Sequence, residues 1–199
     1  MSEALKNIVD GFTGSSALDQ ANLALGIFGV VLMIRRTLWA FPVGLVAVAV
    51  QGVLFYRARF YADATLQVFF FGALAWGWWN WRRATGPELP VTRLTTRGLA
   101  LTLAAAVFAT AVWALALRRW TDAAMPWRDA GIAAFSVAAQ VLQARKKLEN
   151  WPLWVGVNLV AVASYWKAEL AFTAFLYAVY LGLAVVGWRE WRRAEGGAA

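Results

Sequence analysis

The stretch Gly77-Trp78-Trp79-Asn80-Trp81-Arg82-Arg83 returns 110 residues later as Gly187-Trp188-Arg189-Glu190-Trp191-Arg192-Arg193. One gap-free register extends the match outward in both directions. It pairs Asp19 with Asp129, Arg35-Arg36 with Arg145-Lys146, and Pro42 with Pro152. It also pairs Tyr56-Arg57-Ala58 with Trp166-Lys167-Ala168, and Leu66 with Leu176. Turns, apolar runs and ends agree together, so the chain carries two copies of one unit.

Each unit holds three apolar runs. A membrane span needs roughly 20 such residues. Thr37–Tyr56, Ala64–Trp81, Gly98–Leu117 and Leu170–Trp188 reach that length without a charge, and Asn150–Trp166 is at the lower limit. Gln20–Ile34 and Ala130–Ala144 are shorter, and each alone would also suit a re-entrant segment or a helix buried in protein. The register pairs these two, so both are read as spans. Their flanking Asp19 and Asp129 fit helix N-termini or the headgroup layer.

Seven spans follow, of which Gly98–Leu117 has no copy. A three-helix unit ends on the side of the bilayer opposite to its start, so one intervening span restores the orientation. The expectation is an all-α membrane protein with seven transmembrane helices in a 3+1+3 arrangement. Parallel repeats at 19–83 and 129–193 flank a linking helix at 97–119, with a pseudo-two-fold along the membrane normal.

Composition agrees. The chain is 61% hydrophobic and 15% charged, where a soluble domain carries about a quarter charged residues. It has neither Cys nor His, which removes thiol catalysis, disulfides, Ser-His triads and the usual zinc ligands. No cofactor or metal is expected. The net charge of +8 lies in small clusters between apolar runs, as in membrane loops, not on one face of a nucleic-acid-binding domain. The N-terminus lacks a basic region followed by an apolar core, so it does not read as a cleavable signal peptide.

Orientation follows from the loops. With the N-terminus outside, Arg35, Arg36, Arg82, Arg83, Arg93, Arg97, Arg145, Lys146, Lys147, Arg189, Arg192 and Arg193 face the cytoplasm. That is twelve of the 19 Lys and Arg residues, so the positive-inside rule favours N-out, C-in in a bacterial inner membrane. No acid or base lies centrally in any run, which removes the carboxylate of an ion-coupled pump and the catalytic array of a membrane enzyme. Asp63, Asp129 and Glu169 sit at span ends and read as caps or solvated loop residues. A GxxxxGK[ST] loop is absent, so intrinsic ATP-driven transport is excluded as well.

Most of the 13 tryptophans crowd span ends. Trp76, Trp78, Trp79, Trp81, Trp188 and Trp191 read as an interfacial belt, as do Trp39, Trp113, Trp120 and Trp127. Trp151-Pro-Leu-Trp154-xxx-Asn158 differs, because its spacing puts Trp151, Trp154 and Asn158 on one helix face. Counting about 1.5 Å per residue, Asn158 lies some 10 Å inside Trp151, where an amide needs a partner. It either glues two helices or binds a ligand. Counted from Phe60, Gln67 reaches a similar depth, and its repeat counterpart Tyr177 shares that level. Indoles with a few amides and a hydroxyl suit a flat, polar-edged, cationic ring. Gln51, Asn80, Gln140 and Gln143 fall at less central depths and stay outside the expected site.

Tyr61-Ala-Asp63-Ala-xx-Gln67 with Gly77-Trp78-xx-Trp81 resembles a helix signature of the PnuC-type vitamin transporters. Arg145-Lys146-Lys147-Leu-Glu149-Asn-Trp151-xx-Trp154-xxx-Asn158, followed by Tyr177, resembles their second signature. The likeness runs from about Asp19 to Arg193. It implies the SWEET-like 3+1+3 fold and uptake of nicotinamide riboside by facilitated diffusion, with phosphorylation by a cytoplasmic kinase trapping the substrate. It also implies that Trp151, Trp154 and Asn158, with Gln67, line the substrate site. Thiamine or riboflavin is the alternative cargo within that family. A non-transporting membrane assembly protein is the reading from another class, and a homo-oligomer fits either.

Overall fold

The computed structural model describes residues 3–59, 61–84 and 88–196. Phe60, from which the depth of Gln67 is counted, lies outside the described residues, as does the side chain of Tyr61 in the first family-like motif. The described residues form eight helices: α1 (Glu3–Thr13), α2 (Ala17–Ile34), α3 (Ala40–Arg57), α4 (Tyr61–Arg82), α5 (Thr96–Trp120), α6 (Pro126–Ala144), α7 (Asn150–Lys167) and α8 (Ala171–Gly196).

Local chemistry sets the boundaries. Ser16 and Asp19 form a reciprocal capping box, Ser16 Oγ accepting from the Asp19 amide and Asp19 Oδ2 from the Ser16 amide. Thr95 Oγ1 accepts from the Gly98 amide to start α5, and Pro126 opens α6, where its missing N–H is no loss. α3 and α7 begin and end 110 residues apart, as do the last residues of α2 and α6. The turns repeat too. The non-glycine residues with positive φ are Arg36 and Lys146, at 58° and 54°, and Arg59 and Glu169, at 63° and 60°. Both pairs obey the same shift, and such backbone persists only where the surroundings enforce it.

Consecutive helices pack within each set, α2 on α3 on α4 and α6 on α7 on α8. The two sets meet where α4 packs on α6 and α2 on α8, contacts that the 110-residue shift interchanges. α5 packs on α6 and exposes Leu101, Val107, Phe108, Val112 and Leu115 outward. α1, which the sequence reading does not foresee, packs on α8 and leaves Leu5, Val9 and Phe12 exposed at helical spacing.

Four described helices, α2, α3, α5 and α8, are long and apolar enough to cross a membrane. The sequence reading counts α4 among the clear runs and the segment in α2 among the weak ones, and here the structure differs. α2 starts at Ala17 and gains length, whereas Gln67, Asn80 and four tryptophans make α4 less apolar. α6 is polar for another reason. α6 packs against α4, α5 and α7 and buries Ser136, Gln140 and Gln143, so its polar face meets protein.

The belt reading fails for two tryptophans. Trp81 and Trp191 are buried, and their indole N–H groups donate to the Ala144 and Met33 carbonyls, closing the ends of α6 and α2. They belong to a four-ring core. Phe41 meets Trp81 edge-on at 4.9 Å, Trp151 meets Trp191 edge-on at 5.4 Å, and Trp81 lies 5.9 Å from Trp191. Each motif glycine makes room for a ring: a Cβ on Gly77 would lie 2.8 Å from Phe41, and one on Gly187 2.5 Å from Trp151. The exposed tryptophans of these two ends are Trp76, Trp79 and Trp188.

A strap formed by Glu88–Thr95 crosses this end. Thr92 lies opposite Lys147, its N–H donating to the Lys146 carbonyl and its carbonyl accepting from the Leu148 N–H; Leu94 N–H donates to Glu149, and Arg93 pairs with Glu195 at 2.7 Å. Lys146, counted from sequence among the cytoplasmic loop charges, is buried beneath the strap. Its Nζ lies 4.4 Å from the centre of the Trp81 ring and 3.4 Å from Glu88 Oε2. Burial pushes its pKa down, and Glu88 opposes that shift.

Candidate functional site

Six helices, α2, α3, α4, α6, α7 and α8, enclose a cavity of about 350 Å³. Trp151, Trp154 and Asn158 reach it from α7, Gln67 from α4 and Tyr177 from α8. The five residues singled out from sequence therefore share one wall-lined space. Trp151 is 1% exposed and Asn158 6%, while Trp154 is half-buried. Tyr177 stacks on Tyr165 at 5.3 Å and 15°.

The sequence reading misses Gln140, Gln143, Phe70 and Tyr180, which line the same cavity. Its depth argument excludes the two glutamines, and that exclusion is corrected here. The cavity is not confined to mid-helix: it runs down to the end where Met33 closes α2, Ala40 opens α3 and Trp151 begins α7. Gln140 and Gln143, in the last turns of α6, sit at that level. The available signal was their spacing of three, one amide above the other on one face of the helix. Asn80, also left out, is structural; its Nδ2 donates to the Ala144 carbonyl.

Lining positions pair across the repeat. Val30 faces the cavity where Gln140 does in the second unit, Met33 where Gln143 does, and Gly44 where Trp154 does. Val48 matches Asn158, Gln67 matches Tyr177, and Phe70 matches Tyr180. The cavity thus lies between equivalent surfaces of the two units, but its chemistry is lopsided. The second unit supplies Trp154, Asn158, both glutamines and both tyrosines; the first supplies small or apolar residues and Gln67.

Among the described residues no charged side chain lines this cavity. A ligand here would meet aromatic faces and neutral hydrogen-bonding groups, and a flat cation would be held by the indole π-systems. Two buried donors, Trp151 Nε1 and Gln140 Nε2, have no partner. A buried unpaired group costs about 1–3 kcal/mol, which an acceptor on a ligand would relieve. Among the described residues no cluster of three metal-ligating side chains occurs.

A second cavity, of about 510 Å³, continues toward the Asp19 end of α2. It shares Gly26, Ala47, Val48, Gln67, Tyr177 and Tyr180 with the first, so the two lie in series. The Tyr180 hydroxyl sits 2.7 Å from where a Gly26 Cβ would be, so glycine there lets the tyrosine reach across.

Residues 16–193 match the family model described as "Nicotinamide mononucleotide transporter". The chain belongs to this PnuC-type family. It is 30% identical over 178 residues to the riboflavin/roseoflavin transporter RibM of Streptomyces davaonensis, covering 87% of this chain and 83% of that one. It is 29% identical over 175 residues to the nicotinamide riboside transporter PnuC of Escherichia coli, covering 74% and 73%. The Neisseria mucosa PnuC is 27% identical over 203 residues, covering 95% of this chain and 77% of its own. The crystal structure of the vitamin B3 transporter PnuC superposes with a TM-score of 0.76 at 24% identity, covering 99% of this chain and 92% of that one. That likeness establishes a shared fold. The PnuC-type chain is a multi-pass membrane transporter of the vitamin class, and the cavity between its two helix sets is the candidate path.

Proposed function

We propose that this chain takes up nicotinamide riboside by facilitated diffusion across the bacterial inner membrane, with phosphorylation by a cytoplasmic kinase trapping the substrate. In this reading α2–α8 are seven transmembrane helices in the 3+1+3 arrangement. The repeats span 19–83 and 129–193, the linking helix 97–119, and the N-terminus lies outside with the C-terminus in the cytoplasm.

The observation that carries the reading is the uncharged cavity in which Trp151, Trp154, Asn158, Gln67 and Tyr177 meet. A pyridinium ring stacks on an indole face, and its carboxamide pairs with the neutral amides and the unpaired indole N–H. Without an intramembrane carboxylate at the site there is nothing to couple protons, so transport follows the substrate's own gradient. For a cation, membrane potential adds about 2.3 kcal/mol per 100 mV.

Riboflavin is the second reading, favoured by the likeness to RibM and by the outer cavity, which gives a longer ligand room. Calorimetric titration of the purified protein with nicotinamide riboside, riboflavin and thiamine decides among them. Tightest binding of the riboside supports the first reading, and tightest binding of either other vitamin replaces it. Binding of none would favour an assembly protein. In proteoliposomes the substrate equilibrates without an ion gradient; an obligatory proton or sodium gradient at zero potential would overturn the facilitator.

A further inference from the structure

Beyond the tyrosines, toward the Asp19 end, a buried polar group is left without a partner. Asn22 of α2 is 7% exposed. Its Nδ2 donates to Gln51 Oε1 of α3 at 2.6 Å, but its Oδ1 is buried and unpaired. An amide pair that only joined two helices would carry that penalty for nothing, since apolar side chains of the same shape join them without it. The second unit does so: the residues equivalent to Asn22 and Gln51 are Ile132 and Ala161. The helix crossing therefore does not require amides.

Asn22 and Gln51 both line the outer cavity, which communicates with the inner one along Gln67, Tyr177 and Tyr180. The two cavities ask for different chemistry. The inner has unpaired donors and indole faces, suited to an acceptor-bearing flat ring. The outer has an unpaired acceptor, suited to a hydroxyl.

We propose that the outer cavity is a second subsite, where Asn22, held by Gln51, accepts a hydrogen bond from a hydroxyl of the substrate's sugar or sugar-alcohol tail. The vitamin ring then occupies the inner cavity, pointing toward the Trp151 end, with the tail toward Asp19. This deepens the transport reading and rests on it. It also gives the protein a means of choosing a ribosylated or ribitylated vitamin over its bare ring.

The test pairs each vitamin with the same ring bearing a methyl group instead of its tail: nicotinamide riboside with 1-methylnicotinamide, and riboflavin with lumiflavin. Calorimetric titration uses the full-length protein in detergent. Asn22→Leu, which mimics the apolar residue of the second unit, weakens the tailed ligand about tenfold and leaves the methyl-capped ring within about twofold. Asn22→Ser gives the same split with a smaller loss and serves if the leucine variant does not fold. Trp154→Ala weakens both ligands of a pair. Equal weakening of ring and vitamin by the Asn22 variants, or no weakening of either, overturns the subsite while leaving the inner site standing. Wild-type affinity of Trp154→Ala for both ligands removes the inner site, and the tail subsite with it.

Discussion

Gly187→Ala is the sharpest single perturbation of the proposed inner site. The added Cβ lies 2.5–2.6 Å from three carbons of the Trp151 six-membered ring, whereas carbon atoms prefer about 3.5–4.0 Å. The ring must retreat by roughly 1 Å. On one side Trp191 blocks it edge-on at 5.4 Å, while the cavity that Trp151 itself lines offers open space. Overpacking of this kind costs about 1–3 kcal/mol of stability. It also moves the unpaired indole N–H and narrows the space for a ring, so the vitamin should bind at least about tenfold more weakly. The repeat supplies a control. A Cβ on Gly77 would lie 2.8 Å from Phe41 and 3.0 Å from Ala144, yet Phe41 is not among the lining residues. Gly77→Ala should therefore lower the thermal midpoint by a similar amount but leave affinity within about threefold. Thermal unfolding and calorimetric titration of both variants check this. Wild-type affinity in Gly187→Ala, or an equal loss in Gly77→Ala, would refute the claim that Trp151 forms a binding wall.

Trp154→Ala removes a stacking face worth about 2 kcal/mol when desolvated, and Asn158→Leu removes an amide worth about 1 kcal/mol or more. Both should fold and bind at least roughly tenfold more weakly, Trp154→Ala the worse, whereas Trp79→Phe at an exposed position stays within about twofold by titration. Reporter tags after Arg193 should face the cytoplasm and tags before Asp19 the outside; both on one side would break the seven-span count. Lys146 has a folded pKa below its ordinary 10.5, so in the alkaline window just beneath that value the unfolded chain binds the extra proton and stability rises with pH. Thermal midpoints of wild type and Lys146→Met across that window should show the rise in wild type alone.

The repeat was legible because it is written in residue types that have few substitutes. Gly77 and Gly187 admit a ring that any Cβ would strike, and Trp81 and Trp191 each close a helix end from inside the core. The same residues misled the belt reading, because a tryptophan at a helix end faces lipid or core according to tertiary packing, which spacing does not encode. The burial of Lys146 was not legible for a related reason: a loop lysine is ordinarily solvated, and the strap through Glu88 and Val91 covers this one. Gln140 was lost to a depth count that assumed the site lies at mid-helix. α1 went unseen because an eleven-residue amphipathic segment matches neither a span nor a signal peptide.

Duplication explains why the site sits where it does and why its residues are so unequally shared. A cavity between two equivalent surfaces meets each lining position twice, once from each unit. Were both copies alike, the cavity would suit a ligand with two-fold symmetry, which a vitamin joined to a sugar is not. Two tryptophans at the Trp154 level would also fill the space that Gly44 leaves open, and a Cβ at Gly44 would already crowd Leu74 at 3.3 Å. A ring and a stacking face need one indole and one gap. The first unit accordingly carries Gly44, Val30 and Val48 where the second carries Trp154, Gln140 and Asn158. In the outer cavity the first unit supplies Asp19, Asn22 and Gln51 and the second Thr173, Tyr177 and Tyr180, whereas Ile132 and Ala161, equivalent to Asn22 and Gln51, are not among its lining residues. Asn22 and Gln51 in the outer cavity, like Trp154, Gln140 and Asn158 in the inner one, thus have no chemical equivalent in the other unit, an asymmetry that suits a ligand whose two ends differ.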